Sequence, residues 1–254
     1  MDPVPPHMAD ADIEAALAEQ INYYRVAADE YDAANRALAH NAGSSKVAAT
    51  YRRDFQSAVA AVRKLSEGRD VLEIAGGTGM YTEHIAQCAR TVTVIDTSPE
   101  SLALNSARTA TAPAEAHYVL DSIFSWCPPR RYEVVIFAFW LCHVPLQRFD
   151  AFWAKVQQAL ASGGEVLMID AEAENGEQCR HDLPELFPES RTTPELALRT
   201  LRDGRQFQIV RVLWERNTLT DRLTALGWEI SLDPDSSWLI GCARRRSHST
   251  GSRS

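Results

Sequence analysis

The residues that could do chemistry follow one another at the ends of short apolar runs. Val71-Leu72-Glu73-Ile74 leads into Gly76-Gly77-Thr78-Gly79, Thr91-Val92-Thr93-Val94-Ile95 ends at Asp96, and Tyr118-Val119-Leu120 ends at Asp121. A fourth run, residues 134–139, leads to His143. A glycine loop lets backbone approach a ligand closely, because glycine has no Cβ and tolerates φ > 0. A helix starting just after it presents unbonded N–H groups that suit a carboxylate or phosphate. An acid roughly twenty residues further on is placed to accept hydrogen bonds from ribose hydroxyls. This much describes any nucleoside-containing cofactor. A dinucleotide is included, because Gly77-x-Gly79-x-x-Thr82 is one residue from the dinucleotide fingerprint.

Glu73 weighs between the alternatives. A carboxylate at the mouth of the glycine loop repels a pyrophosphate and attracts a cation such as an α-ammonium. Asp121 adds an acid able to accept from an adenine amino group. Together they suit a nucleoside with an amino-acid end and a sulfonium. His143 lies just past the fourth run, and the ordinary titration range of histidine suits a general base. The alternative is a histidine that caps the next helix or packs beneath the cofactor.

Several elements must position these residues. Residues 10–40 read as helix, with Ile21, Tyr24, Ala28 and Tyr31 on one face, until Gly43-Ser44-Ser45 breaks it. A second helix carries Val47, Tyr51, Phe55, Val59 and Val62 and ends at Gly68. Strands are predicted at 71–74, 91–95, 118–120, 134–139 and 165–169, alternating with helices. Ser98 and Pro99 open one of these helices as N-cap and first residue, and another spans about 146–160. The unbroken apolar run 134–139 reads as a strand buried on both faces. Alternation of this kind specifies a parallel sheet with helices on both sides, which binds ligands beyond the carboxyl ends of its strands. Residues 171–193 read as a long polar loop. Residues 195–201 and 205–214 flank the hairpin-turn signal Asp203-Gly204. Asn217 is a candidate cap for a helix ending at Gly227, and residues 228–232 and 237–243 read as a final antiparallel pair.

Composition narrows the class. The 254 residues are 45% hydrophobic and 24% charged, as in an ordinary globular domain, with spare length for a lid. The net charge of −8 opposes a general nucleic-acid binder, which needs a basic face. The acid is concentrated: residues 1–32 carry eight acids against Arg25, whereas the last twelve carry Arg244, Arg245, Arg246 and Arg253 and no acid. That tail reads as solvated, or as a contact for an anionic partner. Five cysteines without a C-x-x-C pair fit reduced thiols and a cytoplasmic location. The acidic, Pro-rich N-terminus is unlike a secretory signal, and no apolar run approaches the ~18 residues of a membrane helix. Residues 1–8 read as vector-derived sequence as readily as native chain.

The first run and its loop, Val71-Leu72-Glu73-Ile74-Ala75-Gly76-Gly77-Thr78-Gly79, resemble the first motif of class I S-adenosylmethionine-dependent methyltransferases. Thr93-Val94-Ile95-Asp96-Thr97-Ser98 resembles their second-strand motif and Leu120-Asp121-Ser122-Ile123 their adenine motif. Residues 132–145 resemble the fourth-strand motif of a small-molecule subgroup, and residues 160–170 the usual turn and fifth strand. The likeness covers about 20–245 and departs at Ala75, where the family often has glycine. It implies an α/β, Rossmann-like, seven-stranded, mostly parallel sheet with helices on both faces, an N-terminal helical lid and an added β-hairpin. The whole is expected to be one domain: lid 1–66, cofactor-binding core 69–170 and 215–244, and insertion 171–213.

The cofactor implied is S-adenosyl-L-methionine. By the resemblance, Glu73, Ala75 and the Gly77, Thr78 and Gly79 backbone would hold its methionine end. Asp96 would bind the ribose, Thr97 would lie beside the adenine, and Asp121, Ser122 and Ile123 would hold that base. Ala138 and Phe139 would line the sulfonium, with Tyr24 and Tyr31 as lid contacts. Trp140 and Arg199 are candidate acceptor contacts; Trp153 reads as pocket or core. Arg202, Arg205 and Arg211 crowd the hairpin with Arg199, as receptors for an acidic acceptor or a partner subunit, or, as the favoured reading, as a solvated edge. Catechol-type methyltransferases place acids at the end of the fourth strand, where this chain has Phe137-Ala138-Phe139, so a metal-independent reaction is expected. Asp170, Glu172 and Glu174 are either a cation site or a solvated acidic loop, and no His/Cys spacing fits zinc.

The expectation is therefore a metal-independent enzyme that methylates a small molecule, at a hydroxyl oxygen, with His143 as base. It would be a monomer or homodimer, with no nucleic-acid or membrane partner. N- or C-methylation is the alternative within this class. An NAD-dependent oxidoreductase and a non-catalytic ligand-binding module stand outside it.

Overall fold

The computed structural model describes residues 10–36, 46–173 and 189–246. Helices α1 (Asp10–Val26) and α2 (Ala28–Arg36) replace the single helix expected at the start. The hydrogen bonds from Ala27 N to Tyr23 O and from Tyr31 N to Ala27 O span their junction, so the helical stripe of side chains continues across it. Helix α3 (Lys46–Ser66) buries Tyr51, Phe55, Ala58 and Val62 at spacings of three and four. It ends just before Gly68, which turns the chain at φ +66°.

The central sheet has seven strands. These are β1 (Asp70–Ile74), β2 (Thr91–Asp96), β3 (Glu115–Leu120), β4 (Tyr132–Ala138), β5 (Leu160–Ala171), β9 (Trp228–Leu232) and β10 (Trp238–Arg245), in the order β3-β2-β1-β4-β5-β10-β9. Strand β10 runs antiparallel to both neighbours, and β1 to β5 are mutually parallel. The linking helices are α4 (Thr82–Ile85), α5 (Pro99–Thr109), α6 (Phe149–Ala159) and α7 (Arg216–Ala225). The strands are near-continuously apolar because both faces are covered. One face packs Leu72, Val135 and Phe137 with Trp153 and Trp228; the other packs Val71, Val134 and Ile136 with Phe55 and Val62. Ile74 lies opposite both Ile95 and Phe137, so β1, β2 and β4 end at one level. Chain order reverses between β1 and β4, the switch point where such sheets bind ligands.

A second sheet extends the expected hairpin to three strands: β6 (Glu189–Arg191), β7 (Leu196–Thr200) and β8 (Gln206–Val210). Gly204 makes the β7–β8 turn at φ +88°. Strand β8 stops at Val210 rather than running on to Trp214, because the Val212 amide leaves the ladder to donate to Cys142 O at 2.8 Å. Most of the expected 171–193 loop, residues 174–188, lies outside the described residues, as do Gly43-Ser44-Ser45, Cys179, the first nine residues and the chain after Arg246. Helix α7 begins at Arg216 without the expected cap from Asn217. Arg216 itself ties the helix start down, donating to Asp233 O, Ser236 O and Trp238 O and pairing with Glu172.

The second sheet docks on α1. Tyr23 and Ala27 pack against Ala197, Leu201, Phe207 and Ile209. The edge amides of β8 are met by α1 side chains: Glu19 accepts from Gln208 N at 2.7 Å and Gln20 from Val210 N at 3.1 Å. No helix among the described residues is long and apolar enough to cross a membrane.

Candidate active site

The loop after β1 is shaped by close approach. Ala75, Gly77 and Gly79 all take positive φ, at +53°, +52° and +90°. A Cβ added at Gly76 would lie 2.4 Å from Val94 Cγ1, and one at Gly79 would lie 2.8 Å from the Asn105 side chain. Asn105, buried on α5, donates to Gly76 O, Gly77 O and Thr82 Oγ1, and so locks the loop from behind. Asp96 locks it from the front, accepting from Gly77 N at 2.9 Å and from Ser98 N at 2.8 Å. Burial pushes the Asp96 carboxyl up, against the pull of these two amides.

Glu73 is not on the cavity wall. It lies 3% exposed beneath the loop, where Thr82 Oγ1 donates to it at 2.5 Å. Desolvation, with the Asp96 charge adding to it, raises its pKa to about 8, so it is mostly neutral at pH 7. The expected ionised carboxylate facing an ammonium is thus a buried acid supporting the loop. Gly79, backed by Asn105, is likewise not among the residues lining the cavity.

In front of the loop is a cavity of about 280 Å³. Ile21, Tyr24, Ala28 and Tyr31, the stripe visible in the sequence, form one wall of it. Ala75, Gly77, Thr78, Asp96, Thr97, Asp121, Ser122, Ile123, Ala138, Phe139, Trp140 and His143 form the strand-end wall. Of the residues expected to touch cofactor or acceptor, Glu73, Gly79 and Arg199 do not line this cavity. Residues not singled out also line it, among them Glu14, Leu17, Gln20, Ser101, Phe124 and Arg148. Glu14 and Leu17 continue the α1 stripe back by helical spacing and were readable in principle. Arg148, paired with Glu14 and lying over the Phe124 ring, carried no such signal. The lid is tied to the loop by Asp32 on α2, which accepts from Thr78 Oγ1 at 2.8 Å and pairs with Arg108 at 2.6 Å.

The other end of the cavity is built around His143, in a 3-10 turn (Leu141–His143) after β4. The turn is entered through Phe139, at φ +52°, a conformation L-residues adopt at a cost. Asp170, at the end of β5, holds the turn by accepting from Cys142 N at 2.9 Å. Val212 N donates to Cys142 O, and Arg211 Nη1 lies 2.7 Å from Cys142 Sγ. The His143 ring is fixed at both nitrogens: Nδ1 is 2.7 Å from Val210 O, and Nε2 is 2.7 Å from the Tyr24 hydroxyl. A carbonyl oxygen can only accept, so Nδ1 carries the proton and Nε2 of the neutral ring is the basic atom. Burial first, and then neighbouring Tyr31, push the Tyr24 phenol well above its usual range, so it stays protonated and donates to Nε2.

The remaining candidates fall elsewhere. Trp153 is core, packed on Phe137 and Trp228. Arg202 and Arg205 are exposed, whereas Arg199 and Arg211 are buried, so the four hairpin arginines are not one surface. Asp170 spends its oxygens on the Cys142 and Ala171 amides, and Glu172 pairs with Arg216. Glu174 lies outside the described residues.

The donor set fits a nucleoside bearing an amino-acid end: an anchored carboxylate after β2, a glycine loop in which Gly76 and Gly79 have no room for a Cβ, and a second acid beyond β3. A family model for a methyltransferase domain matches residues 71–164. The chain is similar to the solved DhpI–SAH and DhpI–SAM–HEP complexes, at 33% identity over 91% of this chain and 98% of that one, with TM-scores of 0.73 and 0.71. A magnesium protoporphyrin IX methyltransferase (ChlM) from Synechocystis PCC 6803 with bound SAH shares the fold at 14% identity. That likeness spans 91% of this chain and all of the other, with a TM-score of 0.63. A comparison with curated protein sequences finds no match.

Proposed function

The chain belongs to the S-adenosylmethionine-dependent methyltransferases, and from that premise we propose that it methylates a hydroxyl oxygen of a small acceptor, with His143 as general base. The observation that carries this reading is the fixed tautomer of His143. Val210 O holds the proton on Nδ1, so the lone pair of Nε2 faces the cavity side of the ring, where Tyr24 stands. An acceptor oxygen must lose a proton on methylation, and a positioned base of this kind contributes roughly 10²–10⁴-fold.

S-adenosylmethionine supplies a methyl group already activated on a sulfonium, so the protein's part is to align the acceptor and take its proton. Asp96 keeps lone pairs for the ribose hydroxyls after accepting from Gly77 and Ser98. Thr97, Asp121, Ser122 and Ile123 frame the adenine, and Ala75, Gly77 and Thr78 frame the methionine end. Glu73 and Gly79 support that loop from below. Ala138 and Phe139 border the sulfur, Tyr31 closes the lid, and Trp140 bounds the acceptor. The cavity, at about 280 Å³, lies just below the roughly 300–1,000 Å³ typical of small-molecule sites.

The test is SAH release from S-adenosylmethionine across a panel of hydroxyl, amine and carbon-acid acceptors. We expect turnover on a hydroxyl compound. His143→Ala should keep SAH affinity and lose about 10²–10⁴-fold in kcat. Unchanged turnover in that variant refutes the base, and methylation of amines alone refutes the hydroxyl acceptor.

A further inference from the structure

We propose that Tyr24 is a catalytic residue: its hydroxyl meets the acceptor oxygen and relays the acceptor's proton to His143, so that the base never touches the acceptor directly. This rests on the hydroxyl reading above and adds a second group to it. Neutral imidazole has one in-plane lone pair at Nε2, and the Tyr24 hydroxyl is hydrogen-bonded to it at 2.7 Å. An acceptor could reach Nε2 only by displacing Tyr24. Three ties on α1 oppose that movement: Glu19 to Gln208 N, Gln20 to Val210 N, and Arg25 to Glu100. The Tyr24 ring is also wedged edge-on between His143 and Tyr31, with centroids 5.4 and 5.6 Å apart.

Tyr24 lines the cavity, and a phenol that donates to Nε2 still has lone pairs with which to accept from an acceptor hydroxyl. Tyr24 is not itself the base, because burial holds its proton. The buried Arg199 guanidinium lies close enough to favour negative charge on the Tyr24 oxygen, which eases the passage of a proton through it.

In the step, the acceptor oxygen forms a bond to the methyl carbon as the methyl–sulfur bond breaks and its electron pair stays on sulfur. The acceptor proton passes to Tyr24 Oη, and the phenolic proton passes to His143 Nε2. One positive charge leaves the sulfonium and one appears on the imidazolium, while Nδ1–H remains on Val210 O.

The experiment combines three readouts on the full chain: ¹⁵N NMR of His143 in the SAH-bound protein, SAH affinity, and the solvent isotope effect on turnover of the best hydroxyl compound from the panel. We expect a protonated Nδ1 and a hydrogen-bonded Nε2, with Tyr24→Phe moving the Nε2 resonance toward that of a free lone pair. Tyr24→Phe should retain SAH affinity and lose on the order of 10²-fold in kcat. The wild-type proton inventory should be curved, as for two protons in flight, and linear for the residual rate of Tyr24→Phe. Full kcat in Tyr24→Phe with loss in His143→Ala overturns the relay and leaves the hydroxyl reading standing. A proton on Nε2 at high pH overturns both the relay and the base. Turnover of amines alone, with His143→Ala unaffected, removes the hydroxyl reading and the relay with it.

Discussion

Replacing Glu73 with glutamine tests the physical core of the site without any acceptor. Glu73 is buried, accepts from Thr82, and has a pKa raised to about 8 by desolvation and by the charge of Asp96. In the unfolded chain a glutamate titrates near 4.3. Between these values the folded protein holds a proton that the unfolded chain has released, so stability falls as pH rises through the window from about 4.5 to about 8. At about 1.4 kcal/mol per pKa unit, the whole loss is on the order of 3–5 kcal/mol. Below the window Glu73 costs nothing; above it, a buried carboxylate must be ionised or the fold gives way. Glu73→Gln is uncharged throughout and can still accept from Thr82. Asp96 and Asp170 also have raised pKa values, and both remain in the variant, so subtracting the two proteins isolates Glu73. Urea unfolding followed by circular dichroism, without cofactor, should show the variant's relative stability rising by that 3–5 kcal/mol from pH 4.5 to 9. In thermal melts this corresponds to roughly 10 °C for a protein of this size. A flat difference across that range would mean that Glu73 is ionised in the fold, and the account of it as a neutral prop would be wrong.

Three further outcomes follow from the loop. Asp96→Ala leaves the Gly77 and Ser98 amides without their acceptor, so it should cost about 1–3 kcal/mol and abolish SAH binding by calorimetry; retained binding would exclude Asp96 from the ribose site. Gly76→Ala drives a Cβ to 2.4 Å from Val94 Cγ1 and should destabilise by about 1–3 kcal/mol. Val94→Ala should recover part of that, and strict additivity in the double variant would contradict the clash. Ala75→Gly relieves a left-handed alanine at roughly 1–2 kcal/mol while adding roughly 0.5–1 kcal/mol of chain entropy. Chemical denaturation should therefore find it neutral to mildly stabilising, and a large loss would argue against the positive φ.

The strand-end wall of the cavity was legible because it is local. Apolar runs of strand length, each closed by a glycine loop or an acid, put Gly77, Asp96 and Asp121 at strand ends, and a parallel sheet brings those ends to one level whatever the rest of the chain does. Period-3.6 spacing likewise gathered Ile21, Tyr24, Ala28 and Tyr31 on one helical face, and the bend at Ala27 did not undo it. The hairpin arginines were not legible in this way. Alternation along β7 and β8 separates two faces but does not say which one docks on α1, so Arg199 went inside only when the small sheet found its place, while Arg202 sits in the exposed turn between the strands.

Short-range spacing alone carries the order of the strands' chemistry: a glycine-rich loop after the first strand, an acid after the second, another after the third, a histidine after the fourth. Long-range packing sets the proton affinity and tautomer of such groups. Glu73 is an acid in any reading of the chain, but packing removed its water and pushed its carboxyl up to about 8. The neutral His143 ring has its lone pair on Nε2 because Val210, 67 residues away, claims Nδ1, and Tyr24, 119 residues away, meets the other nitrogen. Backbone geometry is written in short-range spacing, whereas desolvation and tautomer are set by atoms that only folding brings within about 3 Å.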